Sequence, residues 1–560
     1  MAGGRLRSAL QDKEWAVDKS KMLNVFGDIK IRVERWSMAD LNKELKKHAS
    51  KIVDILLREY PDAEISLKYS DSFELLVAVI LSAQCTDDRV NMVTEMLFKK
   101  GPRKERQMKL TNPLTGEEFD QPSTNSNDLI QSFNFQKENQ NKWGHLPLEQ
   151  RIAIIQKFSD ELQNREEKLA KILTKEMGKP LQESLNEIRG AKSRIKFFLK
   201  NTEENLKPRD YSRPGIMKEE IHFEPLGVIG NISAWNYPYL VGVNVFIPAL
   251  ICGNVVLYKP SEHTSLTGLE IQKIFYDCGL PSYAFQVAIG GQDIGRQLLE
   301  LPLDGIFFTG SYKTGLSIQN QVSSKLIPVG LELGGKDPLY ITDDLEDLDQ
   351  VAESVLEGVF YNNGQSCCSV ERIYIHEKIA KSFLEKFKEK AQKLKVGDPM
   401  APGTTQGPLT RKEQISFLKN QVQEAISKGA EVIFEGEIPQ GPGYFFPPTI
   451  LKNVDHTMGL MKEESFGPVI GVQVVNNDEE AIQLMNDTSY GLTSSVFSKD
   501  EKRGREILKQ IDSGTGYLNC CDRVSPYLPW SGRKNSGLGS TLSFLGIQAF
   551  YRPKALHIKS

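Results

Sequence analysis

Apolar residues change their spacing along the chain, and each change predicts a different kind of element. Between 37 and 100 they recur at helical intervals and predict two helices, Met38 to Tyr60 and a second from about Ser72 to about Gln84. The second, SFELLVAVILSAQ, is apolar almost all round, as in a helix buried on several sides. Residues 1–36 are charged and show no clear period, and 101–145 are polar and broken by Gly and Pro, which predicts a linker with short hairpin material. From Pro147 the texture becomes regular. Ile152, Ile155, Phe158 and Leu162 mark a helical stretch over Leu148–Met177 that stops at Gly178-Lys179-Pro180. Short β-rich runs at 227–233, 254–259, 284–290, 305–310 and 326–334 then alternate with helical stretches, and this βαβα rhythm predicts a parallel, doubly wound sheet. Such sheets bind ligands at the carboxyl ends of their strands. A second α/β segment follows, with strands near 370–376, 431–434 and 469–475, helices at 377–395, 411–428 and 479–486, and a closing strand Lys554–Lys559. Two lobes with a cleft between them are the predicted architecture.

Composition narrows the classes. The 560 residues are 39% apolar and 26% charged, enough for a sizeable core and incompatible with wholesale disorder. A net charge of −3 gives no global pull toward nucleic acid or membrane, and there is no apolar run of transmembrane length and no secretory stretch at the start. Seven cysteines follow no zinc or cluster spacing, so no metal site is expected and a reducing cytoplasm is the predicted compartment.

Polar chemistry gathers at the predicted strand ends. In NNGQSCCS (362–369), Cys367 and Cys368 are either a nucleophile and its neighbour or small buried hydrophobes. LELGGKDP (331–338) ends a strand in Glu332 and two glycines, giving a general base beside a close backbone approach or an ordinary salt-bridged turn. ISAWNYP (232–238) holds Trp235 and Asn236, whose amide can donate to a developing oxyanion or to its own turn. In YKPSEHT (258–264), Ser261 or Glu262 caps a helix, or Lys259 and Glu262 meet a nucleotide ribose. FTGSYKTG (308–315) sets Gly310 and Ser311 at a helix start suited to a pyrophosphate, without the full dinucleotide or phosphate-loop motif. KEESFGPV (462–469) and PWSGRKNSG (529–537) read equally well as surface turns.

Taken in order, AWNYP, KPSE, FTGS, ELGGK, GQSC and EESFGP resemble the aldehyde dehydrogenase superfamily over roughly Met108–Ser560, beginning with NPLTGEEF (112–119). The resemblance implies two doubly wound α/β lobes: an NAD-binding domain at 146–335 with an oligomerisation hairpin at 208–225, and a catalytic domain at 336–536. A tail at 537–560 would add an oligomerisation strand, so a homodimer or homotetramer is implied. Cys367 would be the nucleophile that attacks the aldehyde, Asn236 with the Cys367 N–H the oxyanion donors, and Glu332 the base that activates the hydrolytic water. Trp235, Lys259, Ser261, Glu262, Gly310, Ser311, Glu464 and Phe466 would surround the cofactor, and a carboxylate at position 262 favours NAD over NADP. Cys368 reads as an inert neighbour. The chain departs from the family pattern at Ala234, where Pro is usual, and at Asn244-Val245, where relatives commonly carry Trp-Lys; the second change removes a cation near the cleft. The loop LNCCDRVSPYLPW (518–530) matches the aldehyde entrance, and its Arg523 pairs more readily with Asp522 or solvent than with an acidic substrate tail.

The front end resembles something else. DSFELLVAVILSAQCTDDRVN (71–91) is similar to the start of endonuclease III-type DNA glycosylases, with Gln84 at the position of the gap-filling glutamine, over about 37–98. No catalytic Lys, later catalytic Asp or four-cysteine cluster follows, so glycosylase chemistry and a DNA partner are not expected and the segment reads as a gene-fusion remnant. The alternative is a DNA-binding or scaffold protein whose dehydrogenase part is secondary.

Overall fold

Strands buried on both faces must be apolar at nearly every position, and the runs Val228–Ile232, Val255–Lys259 and Asp337–Ile341 are buried throughout. The computed structural model describes residues 107–213 and 217–559. The leader 1–36 and the two helices predicted within 37–100 lie outside the described residues.

Two sheets carry the fold. The first has six strands in the order Gly537–Leu538, Val329–Glu332, Gly305–Thr309, Val228–Ile232, Val255–Lys259 and Phe285–Val287. Its neighbours are parallel except for the outermost pair, where Gly537 meets Glu332 in an antiparallel register. The second has seven strands, ordered Glu431–Glu435, Thr449–Lys452, Val469–Val475, Val370–His376, Asp337–Ile341, Thr493–Phe497 and Thr515–Leu518, and only the first pair is antiparallel. The period of two along each central strand sorts its side chains between two cores: Leu339, Ile341, Ile373 and Ile375 join one cluster, Tyr340 and Tyr374 the other. The chain crosses between the sheets through Leu333–Lys336, so the end of Glu332 and the start of Asp337 sit on opposite sides of the junction.

A third, antiparallel sheet pairs Lys218–Pro225 with Tyr551–Ile558 on one side and Arg209–Asp210 on the other. It confirms a closing strand, which begins at Tyr551 rather than Lys554.

Two local expectations are corrected. The stretch Leu148–Met177 is two helices, Leu148–Asn164 and Glu166–Met177, broken at Arg165, whose side chain reaches Glu161 and Asp277. Residues 126–144, read as linker, form a 19-residue helix capped by Asn125, which accepts the N–H groups of Asn127 and Asp128. It buries a narrow stripe of Leu129, Phe133 and Trp143, with Gln136 in the same stripe donating to the Val256 carbonyl at 2.8 Å. That polar member hides the helical period from the sequence. Among the described residues, no helix is long and apolar enough to cross a membrane, and no cluster of His, Cys, Asp and Glu is arranged to hold a metal ion.

Candidate active site

Backbone geometry sets the position of Cys367. Asn362, Asn363 and Gly364 take successive left-handed φ values of 55°, 56° and 67°. Each such non-glycine residue costs about 1–3 kcal/mol, so the surroundings must over-determine the loop. They do. Glu183 accepts the Asn362 N–H at 3.0 Å, Asn363 exchanges bonds with Gly407 at 2.6 and 3.1 Å, and Gln365 accepts the Thr410 N–H at 3.1 Å. The loop delivers a half-buried Cys367 to the junction of two cavities.

Asn236 approaches from the first sheet. Its side chain is buried, and Nδ2 donates to the Gln365 carbonyl at 3.1 Å. An amide nitrogen has two hydrogens, so one remains for a ligand. The turn is anchored by Lys179, which the sequence presents only as part of a helix stop. Its fully buried Nζ donates to Glu187 and to the Asn236 carbonyl, both at 2.6 Å, and lies 4.0 Å from the Tyr237 ring centroid.

Glu332 ends its strand with one oxygen accepting from Thr541 at 3.0 Å and the other buried without a partner. Burial pushes the carboxyl up to about 8, against the Thr541 hydrogen bond and the charge of Arg194. Glu332 and Cys367 line the same small cavity of about 30 Å³, room enough for a water. The following glycines are sterically required. A Cβ on Gly334 would lie 2.3 Å from the Glu464 carboxylate, and one on Gly335 would lie 3.0 Å from the Cys367 carbonyl.

Cys368 is a different kind of thiol. It is buried, and Sγ donates to Asp522 Oδ1 at 2.9 Å. Its bond with Cys367, burial and the Asp522 charge hold it well above the ordinary thiol range. Asp522 itself is pushed up to about 6 by burial, against hydrogen bonds from Cys368 and Ser366.

The remaining predicted residues spread over the facing strand ends. Trp235 meets Phe466 edge to face at 5.5 Å, and Phe466 has φ 48°. Glu464 accepts the Gly335 N–H at 3.0 Å, and burial pushes it up to about 8. Lys259 is buried with Nζ 3.7 Å from Glu262. Burial works to raise the Glu262 carboxyl, but Lys259, its own backbone N–H, His263 and Ser261 together hold the group below its usual range. Ser261 caps the short helical turn Glu262–Thr264 and Ser311 caps the helix Tyr312–Val322, while Gly310 N–H donates to the Glu332 carbonyl at 3.0 Å.

One charge was not legible in the sequence. Arg194, on the helix Leu181–Leu206, is only 7% exposed and lines the larger cavity of about 400 Å³ on the entry side of Cys367. Nη1 donates to the Leu240 carbonyl and to Asn244 Oδ1, both at 3.0 Å. Burial lowers it to about 10, so it stays charged at neutral pH. A cation from another helix thus stands beside Asn244.

Comparison with known proteins shows the family. A family profile described as "Aldehyde dehydrogenase family" matches residues 100–556. The chain is 34% identical to aminoaldehyde dehydrogenase 1, peroxisomal, of Pisum sativum over 75% of its length and 84% of that protein's. It is 33% identical to a succinate-semialdehyde dehydrogenase [NADP(+)] of Deinococcus radiodurans over 81% of its length and 95% of that protein's. Among solved structures, betaine aldehyde dehydrogenase of Staphylococcus aureus in complex with NAD+ superposes with a TM-score of 0.77 at 28% identity, over 80% of this chain and 91% of that one.

Proposed function

We propose residue roles from a firm premise: the chain belongs to the aldehyde dehydrogenase family and catalyses NAD(P)-dependent aldehyde oxidation. The observation that carries the roles is the shared cavity. One strained loop and one strand end bring a half-buried thiol and a carboxylate with an unpartnered oxygen to a space the size of a water. A thiol that attacks a carbonyl and a base that activates water need this adjacency.

Cys367 attacks the aldehyde carbon as the thiolate, forming the C–S bond of a thiohemiacetal. The oxyanion is held by the spare Asn236 Nδ2 hydrogen and by the Cys367 N–H, which has no backbone partner among the described residues. Bound nicotinamide supplies the acceptor for the hydride that leaves this carbon. Glu332 then takes a proton from water as the water attacks the resulting thioester. The C–S bond breaks, the acid departs as the carboxylate or carboxylic acid, Glu332 gives its proton back to solvent, and the Cys367 thiolate is restored.

The strand ends fit a dinucleotide. Lys259 and Glu262 offer a paired cation and carboxylate beside one helix start, and Gly310 with Ser311 opens another. Phe466 meets Trp235 across the junction, and Glu464 accepts the Gly335 N–H. The Glu262 carboxylate favours NAD, since it would bond a free 2′-hydroxyl and repel a 2′-phosphate. The test is formation of reduced cofactor with each dinucleotide on a panel of aldehydes, wild type beside Cys367→Ala. Turnover that survives in the variant would overturn the assignment of the nucleophile.

We further propose that the sheet built on Tyr551–Ile558 pairs protomers into a dimer or tetramer. Tyr551–Ile558 is an edge strand whose far side has no partner among the described residues, and its Ile558 is 42% exposed. Six free thiols among the described residues fit a reducing compartment such as the cytoplasm. The 37–98 segment keeps its reading as a glycosylase-like fusion remnant without chemistry of its own. A tight, salt-sensitive DNA affinity of residues 1–107 would overturn that reading.

A further inference from the structure

One departure from the family pattern meets a buried cation in space. Asn244 stands where relatives commonly carry Trp, and it spends its carbonyl oxygen on Arg194, fifty residues earlier in the chain. A buried guanidinium carries five N–H donors and no acceptor. Arg194 uses only Nη1, and both of its acceptors are neutral. Among the described residues no carboxylate forms an ion pair with it, although it lies within the electrostatic reach of Cys368, Cys367, Glu187 and Glu332. Arg194 lines the cavity that also holds Cys367. An unpaired cation this deeply buried is costly unless an anion arrives to share the site.

We propose that Arg194 binds the carboxylate of the substrate, so that this chain prefers short aldehydes bearing a carboxylate at the far end. The inference rests on Cys367 being the nucleophile of aldehyde oxidation and adds the substrate class. A guanidinium matches a carboxylate as a two-bond fork, and one buried cation matches one negative charge. Arg523 is exposed on the loop at the mouth of the same cavity and supplies an outer positive charge along the path. Two acidic groups also line the cavity. Glu357 is exposed, and Asp522 directs Oδ1 to the Cys368 and Ser366 donors. Arg194 is therefore the one interior charge with donors left over. A cationic aldehyde would have to place its ammonium beside that guanidinium.

The experiment compares 4-oxobutanoate, butanal and 4-aminobutanal on the full-length wild-type enzyme, on Arg194→Met and on Arg194→Lys. The carboxylate-bearing aldehyde is expected to exceed butanal in kcat/KM by about ten-fold or more, since each tenfold corresponds to about 1.4 kcal/mol of binding. In Arg194→Met that ratio should fall toward one, mainly through KM, and Arg194→Lys should recover part of it. Equal kcat/KM for 4-oxobutanoate and butanal in wild type, or a preference for 4-aminobutanal, would overturn the proposal and assign the cavity to Asp522 and Glu357.

A second readout needs no turnover and no folded variant. Alkylation of Cys367 by iodoacetate relative to iodoacetamide, followed by mass spectrometry, should be faster than the same ratio on a small free thiol. A ratio equal to the free thiol's would overturn the anion site. If no aldehyde is oxidised, the assignment of the reaction fails, and the alkylation ratio alone decides for or against Arg194.

Discussion

Cys367 stands between two cavities that differ in size and in charge. The entry side encloses about 400 Å³ and is lined by charges of both signs, Arg194 and Arg523 against Asp522 and Glu357. The inner side encloses about 30 Å³ and has a single carboxylate, Glu332. A wide cavity with several fixed charges selects among aldehydes by their tails. A water-sized cavity with one raised carboxyl governs how the acyl group leaves the sulfur. On the proposed roles, choice of substrate and hydrolysis fall to two cavities that meet at one thiol, and variants on each side should alter different kinetic constants.

The neighbouring thiols give the most severe test. Cys367→Ala should lower turnover by on the order of 10⁴-fold or more, as removal of a nucleophile does elsewhere. Cys368→Ala removes a donor to Asp522 and the contacts with Ser366 and Cys367, but no nucleophile, and should leave turnover near wild type. Equal losses in the two variants would erase the distinction between the faces. Next comes Lys179, which belongs to neither cavity yet holds the Asn236 turn. Lys179→Met leaves Glu187 buried and unpaired, and should cost about 3–5 kcal/mol in a denaturant titration. The double variant with Glu187→Gln should recover part of that loss. Glu332→Gln sharpens the comparison from the inner side. It should reduce steady-state turnover by about 10²–10⁴-fold while a burst of reduced cofactor persists, because the acyl-enzyme still forms. Loss of the burst as well would mean that Glu332 acts before hydrolysis.

Much of the inner face was legible in the sequence, and most of the outer face was not. Glu332, the glycine pair and Cys367 lie at strand ends and loops, where the alternating pattern itself points to chemistry. The parallel strands were legible because burial on both faces forces unbroken apolar runs. Arg194 was hidden because RGAKSRIKF reads as the solvated side of a helix, and only packing on the helix Pro238–Ile251 turns it inward against Asn244. Lys179 was hidden in the same way: its charge is meaningful only with Glu187 and the Asn236 carbonyl in place. The helix at 126–144 escaped because one of its buried positions is Gln136. In each case a polar residue occupies a position that pattern assigns to solvent or to the core, and the partner that permits it lies far away in sequence.

The smallest effect distinguishes the faces by pH. Glu332 is held up to about 8 by burial, whereas Asp522 across Cys367 is held at about 6. A general base works only when deprotonated, so turnover limited by hydrolysis should rise with pH through about 8. From pH 7 to pH 9 the ionised fraction of such a group grows about ten-fold. Stability should move the other way. A carboxyl whose folded value is raised above its unfolded value contributes stability below the unfolded value and loses it as pH climbs through the folded one. Thermal stability should therefore decline from about pH 5 toward pH 8 and above, with a smaller decline in Glu332→Gln. Several other buried carboxyls are raised as well, including Glu183 and Asp337, so the comparison must be made between wild type and variant rather than on wild type alone. If Glu332→Gln leaves both the rising limb of turnover and the stability profile unchanged, the carboxyl is already ionised in the free enzyme, and the limb belongs to a different group. If it flattens both, one proton on Glu332 accounts for the rate and for the stability of the inner cavity.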